Sequence, residues 1–253
     1  PVPQEKGTVS EENLQTAYLD YMCSLVDVSN IKKLHVVFDV GNGMVGMLLP
    51  NLLKRLPLEA EILYGDVDMT FPNHEANPIK NETLVNLQKT IVEKHADLGV
   101  AFDGDGDRVR FVTSSSLAVR GDITTALFAQ YLLQKYPGEK IVFDSTRSSK
   151  VVTEIIQETG GTVIGSRVGH IFIKKHMRKE NAVFGGEVSG HYYHRDFFFA
   201  ESALLATLRL LAILSESVKT LDELVKPLLR YVSSGEVNVS VVDKDKALDA
   251  VVV

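Results

Sequence analysis

The sequence predicts an α/β protein built from two similar three-layer α/β domains, each with a mostly parallel mixed sheet. Short apolar strand patterns alternate with helix patterns along the chain, which is typical of a parallel sheet covered by helices. Ile141-Val142-Phe143-Asp144 also repeats Val36-Val37-Phe38-Asp39, and each copy precedes a loop, a helix and another strand. The length of 253 residues is sufficient for two domains. We therefore expect domains over 1–118 and 119–232, and we expect 233–253 to form a linker and the first strand of a truncated further domain.

The first domain is expected to begin with a helix and then to build its sheet. Residues 1–9 have the character of a linker, and Ser10 is positioned to cap a helix with apolar residues on one face at spacings of three and four. Apolar runs then predict a sheet with strands on both sides of an aspartate-rich loop. The expected elements are strands over 34–40, 61–64, 97–102 and 109–112, and helices over 46–56 and 82–94.

The second domain is expected to repeat this plan. Its predicted elements are strands over 141–144 and 162–166, and helices over 122–134, 149–159, 201–214 and 221–229. After a polar joint at Ser233-Ser234-Gly235, the alternation from Val237 to Val242 predicts a strand of a further domain. The chain begins with Pro1 and ends on three valines inside a predicted element, so we expect a fragment of a longer protein.

The composition is that of a soluble globular protein and argues against several function classes. Hydrophobic residues make up 45% of the chain and charged residues 24%. The formal net charge of -6 argues against broad nucleic-acid binding, and no segment resembles a signal peptide or a membrane span. Cys23 is the single cysteine, so no intrachain disulfide is expected, and the composition fits a cytoplasmic location.

The densest motif is Asp103-Gly104-Asp105-Gly106-Asp107-Arg108, which lies between two predicted strands. The glycines allow the backbone to curl until the three carboxylates point at one place. At ~4 Å each pair of carboxylates repels by about 1 kcal/mol in bulk water and about 4 kcal/mol at a protein surface, so a cation is needed to hold them together. Hard oxygen ligands favour Mg²⁺, with Ca²⁺ or Mn²⁺ as alternatives. Asp103, Asp105 and Asp107 are therefore predicted metal ligands.

An EF-hand loop and a hairpin tip without a ligand are the alternative interpretations of this motif. An EF-hand has glycine at the sixth position and glutamate at the twelfth, where this chain has Arg108 and Ser114. A solvated tip does not need three aspartates in register beside an arginine. A cation held by acids next to Arg108 suits an anionic ligand that bridges both, and a phosphate group is the obvious one.

A glycine pattern in the first domain indicates a competing function. Gly41, Gly43 and Gly46 follow a predicted strand and open a predicted helix, and Asp66 lies near the end of the next strand. This matches the fingerprint of dinucleotide-binding proteins. The signal is weak because glycines at such a turn are commonly structural. A nucleotide-dependent dehydrogenase would also leave the three aspartates without a role.

The second dense motif is Gly185-Gly186-Glu187-Val188-Ser189-Gly190-His191. In an extended loop Glu187, Ser189 and His191 would project to one side. A carboxylate that accepts hydrogen bonds and a hydroxyl that donates or accepts them can together hold a sugar diol. A polar turn without a ligand is the alternative interpretation.

Basic residues follow two strands of the second domain. Arg147 comes after the strand that ends at Asp144, and Arg167 and His170 come after the strand that ends at Ser166. Open α/β sheets bind ligands at the carboxyl ends of their strands. Each of these residues alone is more often a surface charge, but as a set around a sugar-type loop they favour a phosphate ligand.

Together these motifs resemble those of the α-D-phosphohexomutases, and most closely the phosphomannomutase/phosphoglucomutase group. The resemblance rests on the metal-type loop 103–108 and the sugar-type loop 186–191, and it covers about residues 15 to 245. Three further segments support it: 71–78, 41–43 and 168–170. It corresponds to the second and third domains of the family, with the opening strand of the fourth.

The resemblance implies a magnesium-dependent mutase that interconverts the 1-phosphates and 6-phosphates of mannose or glucose. A phosphoserine in the first domain of the family, outside this chain, would exchange phosphoryl groups with a hexose phosphate through a hexose bisphosphate. Mg²⁺ on the three aspartates, together with Arg108, would offset the charge that builds during transfer. The resemblance also implies a set of residues at the sugar site: Glu187, Ser189, His191, His170 and Arg147.

The sequence departs from the family pattern in several places. The serine loop of the first domain and the arginine-rich phosphate loop of the fourth are absent, so this piece alone is expected to be inactive and to act with the missing N- and C-terminal domains of the same chain. Arg147 stands where the family usually has lysine, and residues 197–201 replace an acidic pair followed by glycine. Phosphoglucosamine mutase remains an alternative enzyme, and a sugar-phosphate sensor remains a non-catalytic alternative.

Overall fold

The first sheet carries the aspartate-rich loop. The computed structural model describes residues 7–233 and 240–251. Within them the first sheet contains β1 (His35–Asp39), β2 (Glu59–Leu63), β3 (Leu98–Phe102) and β4 (Val109–Thr113). The strand order is β2-β1-β3-β4; the first three strands are parallel and β4 runs antiparallel to β3. Strand β3 is buried along its whole length, as expected for a central strand covered by helices on both faces.

Helices precede and connect these strands. Helix α1 (Gln15–Ser24) and a 3-10 helix (Val28–Asn30) lead into β1. The connection from β1 to β2 contains a 3-10 helix (Met44–Met47) and α2 (Leu49–Leu53). The connection from β2 to β3 contains a 3-10 helix (Asn81–Leu84) and α3 (Val85–Lys94).

The second sheet repeats the arrangement of the first. It contains β5 (Lys140–Asp144), β6 (Thr162–Ser166), β7 (Phe184–Gly186), β8 (Tyr192–His194) and β9 (Ala200–Glu201). The strand order is β6-β5-β7-β8-β9, with β5, β6 and β7 parallel and the last two strands antiparallel to their neighbours. In both sheets the last parallel strand turns directly into an antiparallel one, and the loop between them is one of the two dense motifs.

The helices of this second half are α4 (Gly121–Lys135), α5 (Lys150–Glu158), α6 (His170–Glu180), α7 (Ala203–Ser217) and α8 (Leu221–Val225), with 3-10 helices at Arg195–Phe197 and Lys226–Leu228. Helix α9 (Lys244–Val251) follows the gap in the described residues. Helix α5 begins at the predicted place, because the Ser149 hydroxyl accepts a hydrogen bond from the Val151 amide at 3.3 Å and caps the helix.

Each sheet is the middle of three layers. On the outer face of the first sheet, α3 packs Leu87 and Ile91 against Val37 of β1. On the outer face of the second sheet, α6 packs Ile173 and Met177 against the strands. The predicted fold class, two similar three-layer α/β units with mostly parallel mixed sheets, is therefore confirmed.

The inner faces of the two sheets share one apolar core. Phe128 of α4 is buried in this core, with its ring edge-on to Phe111 of β4, Phe184 of β7 and Tyr192 of β8. The centroid distances to these rings are 6.4, 5.6 and 5.4 Å. Aromatic pairs of this kind contribute about 0.5–1.5 kcal/mol each beyond their buried area. Through Phe128, helix α4 thus packs against strands of both sheets.

Three predicted helices differ from the structure for local reasons. The predicted cap at Ser10 is wrong, because α1 starts at Gln15 and the N-cap position is Leu14, which provides no side-chain hydrogen bond. The helix predicted over 46–56 is split, since Pro50 lacks an amide proton and sits in the first turn of the short helix α2. Helix α8 ends earlier than predicted, where Pro227 lies in a 3-10 helix.

Two further differences concern the second half of the chain. Helix α6 has no predicted counterpart, because its sequence is strongly basic and buries only Ile173 and Met177. The strand predicted from Val237 to Val242 lies mostly outside the described residues; residues 240–242 form no strand, and α9 follows them. Among the helices that the structure describes, none has the length and apolar character needed to cross a membrane.

Candidate active site

The loops that carry the predicted site residues lie at one end of the parallel strands. The metal-type loop follows β3, the sugar-type loop follows β7, and Arg147 and His170 follow β5 and β6. Since β1 and β3 are parallel, as are β5, β6 and β7, each sheet gathers these loops at the carboxyl edge of its strands. We name residues 103–108 the metal loop and residues 186–191 the sugar loop.

The metal loop brings the three predicted ligands together. Oxygen atoms of Asp103, Asp105 and Asp107 all lie within 4.8 Å of one another. Asp103 is fully buried, and its Oδ1 accepts hydrogen bonds from the backbone amides of Gly106 and Arg108, both at 3.1 Å. These bonds fold the loop back over the Asp103 carboxylate. Gly106 makes the fold possible with a φ of +79°, which glycine adopts without strain.

The charge of the metal loop is only partly balanced by protein groups. Arg108 Nε donates to Asp103 Oδ2 at 2.5 Å and lies 3.8 Å from an Asp107 oxygen. Asp105 is exposed and makes no hydrogen bond or ion pair with any described residue. Three carboxylates against one guanidinium leave a net negative cluster of hard oxygen donors, which is the donor set that Mg²⁺ uses. The residues present therefore fit a divalent cation.

Residues 41–46, which follow β1 and are named here the glycine loop, pack against the metal loop. The Met44 amide donates to the Gly104 carbonyl at 2.9 Å. A side chain at Gly43 would place its Cβ 2.8 Å from the same carbonyl, and one at Gly46 would place its Cβ 2.2 Å from the carbonyl of Gly65. The space beside these two glycines of the dinucleotide-like pattern is thus occupied by protein backbone. This disfavours a dehydrogenase, which would need that space for a nucleotide.

The segment 71–78 is fastened to the same glycine loop. His74 Nε2 lies 3.1 Å from both oxygens of Asp39, the buried last residue of β1. The hydrogen bond with Asp39 raises the pKa of His74 although burial opposes its charged form. Asn73 donates to the side-chain oxygen of Asn42 at 2.8 Å, so this segment covers the outer side of the glycine loop.

The sugar loop is a tight hairpin turn and differs from the predicted extended loop. The Gly190 amide donates to the Glu187 carbonyl at 3.1 Å, and the Glu187 amide donates to the His191 carbonyl at 3.1 Å. Glu187, Ser189 and His191 meet because the chain turns back, and not because alternate residues share one face. His191 Nδ1 lies 2.8 Å from the Ser189 hydroxyl and 3.2 Å from Glu187 Oε2.

Glu187 is held by several donors. Its carboxylate is only 2% exposed and accepts from the Tyr193 hydroxyl at 2.5 Å and from the Gly169 amide at 2.9 Å. Burial alone would raise the pKa of Glu187, but hydrogen bonds from the His191 ring, the Tyr193 hydroxyl and a backbone amide lower it to about 2. Burial, and after it the adjacent Glu187 carboxylate, raise the pKa of Tyr193.

The metal loop and the sugar loop are in direct contact. The Val109 amide donates to the Gly190 carbonyl at 3.1 Å, and Arg108 and His191 form an antiparallel β-bridge. His191 Nε2 lies 3.3 Å from an Asp107 oxygen. Burial opposes the charged imidazole, yet the hydrogen bonds with Asp107 and Glu187 raise the pKa of His191 to about 9. One imidazole ring therefore joins a metal-loop carboxylate to the sugar-loop carboxylate.

Glycines permit this close approach of the two units. Gly190 has a φ of +92°, and a Cβ there would lie 2.7 Å from the Val109 carbonyl. Gly121, at the start of α4, faces the other side of the sugar loop, where a Cβ would lie 2.4 Å from the Val188 carbonyl. The sugar loop is thus enclosed between β4 and α4.

The remaining predicted site residues lie around the sugar loop. Arg147 Nε donates to Oδ2 of the buried Asp144 at 3.0 Å, and the Arg147 side chain is 41% exposed. His170 is the first residue of α6 and is exposed, with its Nδ1 3.7 Å from a Glu201 oxygen. Arg167 instead packs over the Phe172 ring at 3.4 Å from the centroid.

Three residues that the sequence analysis did not assign to the site complete its polar network: Tyr193, Lys174 and Glu201. Lys174 donates to both oxygens of Glu201, at 2.8 and 2.9 Å. Tyr193 lies two residues after His191, so its place beside Glu187 follows from the period of a strand. Lys174 lies one helical turn after His170, a signal that becomes visible only once α6 is known to be a helix.

Two family models match the chain at the places that the two loops occupy. Residues 16–116 match phosphoglucomutase/phosphomannomutase alpha/beta/alpha domain II, and residues 120–231 match alpha/beta/alpha domain III. The chain belongs to the phosphoglucomutase/phosphomannomutase family. The resemblance inferred from the sequence is thereby confirmed.

Relatives of known name agree with this membership in the phosphoglucomutase/phosphomannomutase family. The chain is 37% identical over 243 residues to a phosphomannomutase/phosphoglucomutase of Pseudomonas syringae pv. tomato, covering 96% of this chain and 52% of the relative. It is 33% identical over 258 residues to a phosphomannomutase of Escherichia coli K12, covering 99% and 56%. The chain thus spans about half the length of the curated relatives it matches.

A solved structure of a phosphoglucomutase/phosphomannomutase family protein from Burkholderia thailandensis has the same fold. It superposes with a TM-score of 0.83 at 30% sequence identity, over 88% of this chain and 48% of that one. A structure described as a phosphomannomutase from Thermus thermophilus gives a TM-score of 0.81 at 20% identity, with 88% and 52% coverage, and supports the fold alone.

Proposed function

We propose that this chain forms the metal-binding and sugar-binding part of a magnesium-dependent hexose-phosphate mutase. The reaction is the interconversion of the 1-phosphate and 6-phosphate of mannose or glucose by phosphoryl transfer through a phosphoserine outside this chain. The observation that carries the proposal is the contact between the two loops, where His191 lies 3.3 Å from Asp107 and 3.2 Å from Glu187. A phosphate near the metal loop and a sugar on the sugar loop would then belong to one ligand.

The sugar loop can hold a hexose by hydrogen bonds. Ser189 is partly exposed, and its hydroxyl can donate to or accept from a sugar hydroxyl. The Glu187 carboxylate has about four acceptor positions and three described donors, so a sugar hydroxyl would use the fourth at the small exposed part of this buried group. His191 orients both groups, and exposed His170 lies at the rim on α6.

The metal loop can hold the phosphoryl end of the same ligand. Asp103, Asp105 and Asp107 would hold Mg²⁺, which when bound would neutralise part of the charge on a transferring phosphoryl group. Arg108 is fixed by its bond to Asp103, and its remaining guanidinium donors can bind phosphate oxygens. The two loops therefore offer complementary halves of a sugar-phosphate site.

Calorimetric titration of glucose 6-phosphate and mannose 6-phosphate into the chain in Mg²⁺ tests this proposal. We expect saturable binding that Ser189→Ala weakens by about 2- to 10-fold, because one hydrogen bond contributes about 0.5–1.5 kcal/mol. Ser217→Ala, at the end of α7, is the matched control and should bind as the parent does. Absence of saturable binding, or equal affinity in the Ser189 variant and the parent, would contradict the proposal.

The choice of hexose is a separate part of the same experiment. Glucosamine 6-phosphate binding more tightly than both other sugars would favour a phosphoglucosamine mutase. Incubation of the chain alone with hexose phosphate, hexose bisphosphate and Mg²⁺ should give no isomer, because the sequence lacks the serine loop of the family, whose common form is Thr-Ala-Ser-His-Asn-Pro. Robust turnover by the chain alone would contradict the assignment of phosphoryl transfer to a serine outside it.

A further inference from the structure

A cavity lies beside the sugar loop and is lined by three arginines. Its volume is about 440 Å³, and Arg110, Arg120 and Arg147 line it together with Val188. Val188 lies between Glu187 and Ser189, so the cavity borders the sugar loop directly. Arg110 and Arg120 belong to none of the motifs that the proposed function uses.

The backbone places two of these arginines near each other. After β4 the chain turns back, so that Val112 and Ala118 form an antiparallel bridge and the Val119 amide donates to the Phe111 carbonyl at 2.8 Å. Arg110 and Arg120 each lie one residue beyond this last bond, and the charge of Arg120 acts on Arg110. Like charges near each other repel. Their proximity therefore has a cost that an anion between the two guanidinium groups would remove.

The acidic residues near these arginines do not supply that anion. Both oxygens of Asp122 are engaged by Arg120, which donates its Nε at 3.1 Å and a terminal nitrogen at 2.6 Å. Asp144 accepts from Arg147 Nε and also from Thr146 at 2.8 Å. The fully buried carboxylates of Asp122 and Asp144 are thus each paired with one arginine of the cavity. The cluster keeps one net positive charge.

Arg110 is the cation without a carboxylate among the described residues. Its terminal nitrogens reach only backbone carbonyls, of Ile79 at 3.3 Å and Ala118 at 3.4 Å. Its Nε is buried and has no hydrogen-bond partner in the described part of the chain. Burial lowers the pKa of Arg110, and the nearby charge of Arg120 lowers it further. A bound anion would relieve both effects.

We propose that Arg110, Arg120 and Arg147 form a binding site for a phosphate dianion, and that its natural occupant is a sugar-phosphate phosphate group that the metal loop does not hold. Guanidinium groups bind phosphate through paired, charge-assisted hydrogen bonds, and three of them converge on this cavity. The sugar-phosphate part rests on the proposed function, because it uses the contact between the cavity and the sugar loop. The phosphate site itself stands on the arginines alone.

Titration with inorganic phosphate in metal-free buffer tests the site without the metal loop. We expect Arg110→Gln and Arg120→Gln each to weaken phosphate binding by about tenfold or more, because a hydrogen bond to a charged group contributes about 1.5–3 kcal/mol. Arg178→Gln, an exposed residue of α6 without a partner among the described residues, is the matched control and should bind as the parent does. Equal phosphate affinity in all four proteins would overturn the proposal.

Thermal unfolding separates binding from a structural role. Without phosphate, Arg110→Gln should unfold at the same temperature as the parent or higher, since it removes the repulsion with Arg120. With phosphate, the parent should gain Tm and the Arg110 variant should not. A variant that loses Tm without phosphate and keeps the same phosphate-dependent gain would show Arg110 to be structural, and would overturn the proposal.

A comparison of glucose 6-phosphate with inorganic phosphate tests whether the cavity binds a sugar phosphate. Glucose 6-phosphate should bind more tightly than inorganic phosphate to the parent, and Arg110→Gln should weaken both. If Ser189→Ala weakens glucose 6-phosphate binding while Arg110→Gln leaves it unchanged, the sugar-phosphate assignment of the cavity is overturned and the proposed function stands. If inorganic phosphate binding depends on Arg110 but no hexose phosphate binds, the proposed function fails and the phosphate site stands.

Discussion

His191 places its Nε2 atom 3.3 Å from a carboxylate oxygen of Asp107, and so a side chain of one unit contacts a candidate metal ligand of the other. The contact is reinforced by the backbone, because residues 108 and 191 are bridged and the Val109 amide bonds to Gly190. The spacing between the metal loop and the sugar loop is therefore set by the fold itself.

The first prediction concerns the exposed aspartate of the metal loop. Asp105→Asn should weaken Mg²⁺ binding by about tenfold or more, because it removes one of three charged oxygen ligands. Calorimetric titration with Mg²⁺ measures this directly. Asp245→Asn, on the exposed helix α9, replaces an aspartate far from the cluster in sequence and should bind as the parent does. Unchanged Mg²⁺ affinity in the Asp105 variant would remove the metal role.

The second prediction concerns the glycine at which the two loops meet. Gly190→Ala should lower the free energy of unfolding by about 2–4 kcal/mol, since it adds a clash with the Val109 carbonyl to the strain of a positive φ. Gly138→Ala is the matched control: its φ is +80°, and nothing lies within 4 Å of the added Cβ. Urea unfolding of both variants isolates the clash. Equal losses in the two variants would mean that the junction tolerates a methyl group.

The third prediction concerns pH. The pKa of His74 in the folded protein lies above its ordinary value of 6.5 because of the hydrogen bond with Asp39. The stabilisation from this shift is therefore complete below about pH 6.5 and is lost as the pH rises through the folded-state pKa. The stability difference between the parent and His74→Gln should therefore shrink as the pH rises above 6.5.

Urea unfolding at several pH values measures that difference. The exposed residue His95 ends α3 in a left-handed conformation that asparagine also accepts, so His95→Asn is a suitable control. The stability difference for the His74 variant should change with pH by more than the difference for this control. Equal changes in the two variants would contradict the assigned role of the His74–Asp39 bond.

The fourth prediction concerns the shared core. Phe128→Ala should lower the free energy of unfolding by about 3–5 kcal/mol, the usual cost of truncating a buried phenylalanine. Because Phe128 contacts strands of both sheets, calorimetry should show a single transition that moves to lower temperature. Phe198→Ala removes a ring that is 70% exposed and should cost much less. Two separate transitions in the parent would mean that the units fold independently.

The parts of the fold that sequence predicts are those fixed by neighbouring residues. The strands β1, β3 and β5 are short runs of apolar residues between polar loops, and the structure buries them almost completely. The metal loop is equally local, because its aspartates and glycines lie within six consecutive positions and the turn is closed by backbone amides of the loop that donate to the Asp103 carboxylate. Such features need no knowledge of distant contacts.

The parts that sequence reasoning missed depend on contacts between distant segments. Arg110 and Arg120 become neighbours only through the register of the turn after β4, where the Leu117 carbonyl accepts from the Thr113 amide. The Lys174–Glu201 pair joins α6 to β9, which lie far apart in the chain. The sugar loop was predicted as extended, since a four-residue turn with Gly190 at positive φ is not distinguishable from a strand by alternation alone.

The apolar core that the two sheets share limits how far the sheets can move relative to each other. Separating the sheets would expose Phe128 and the rings packed on it to water, at a free-energy cost of several kcal/mol. Opening and closing of a ligand cleft would therefore have to come from parts of the protein other than these two sheets. The metal loop and the sugar loop, which lie on these two sheets and contact each other, would therefore move together as one unit.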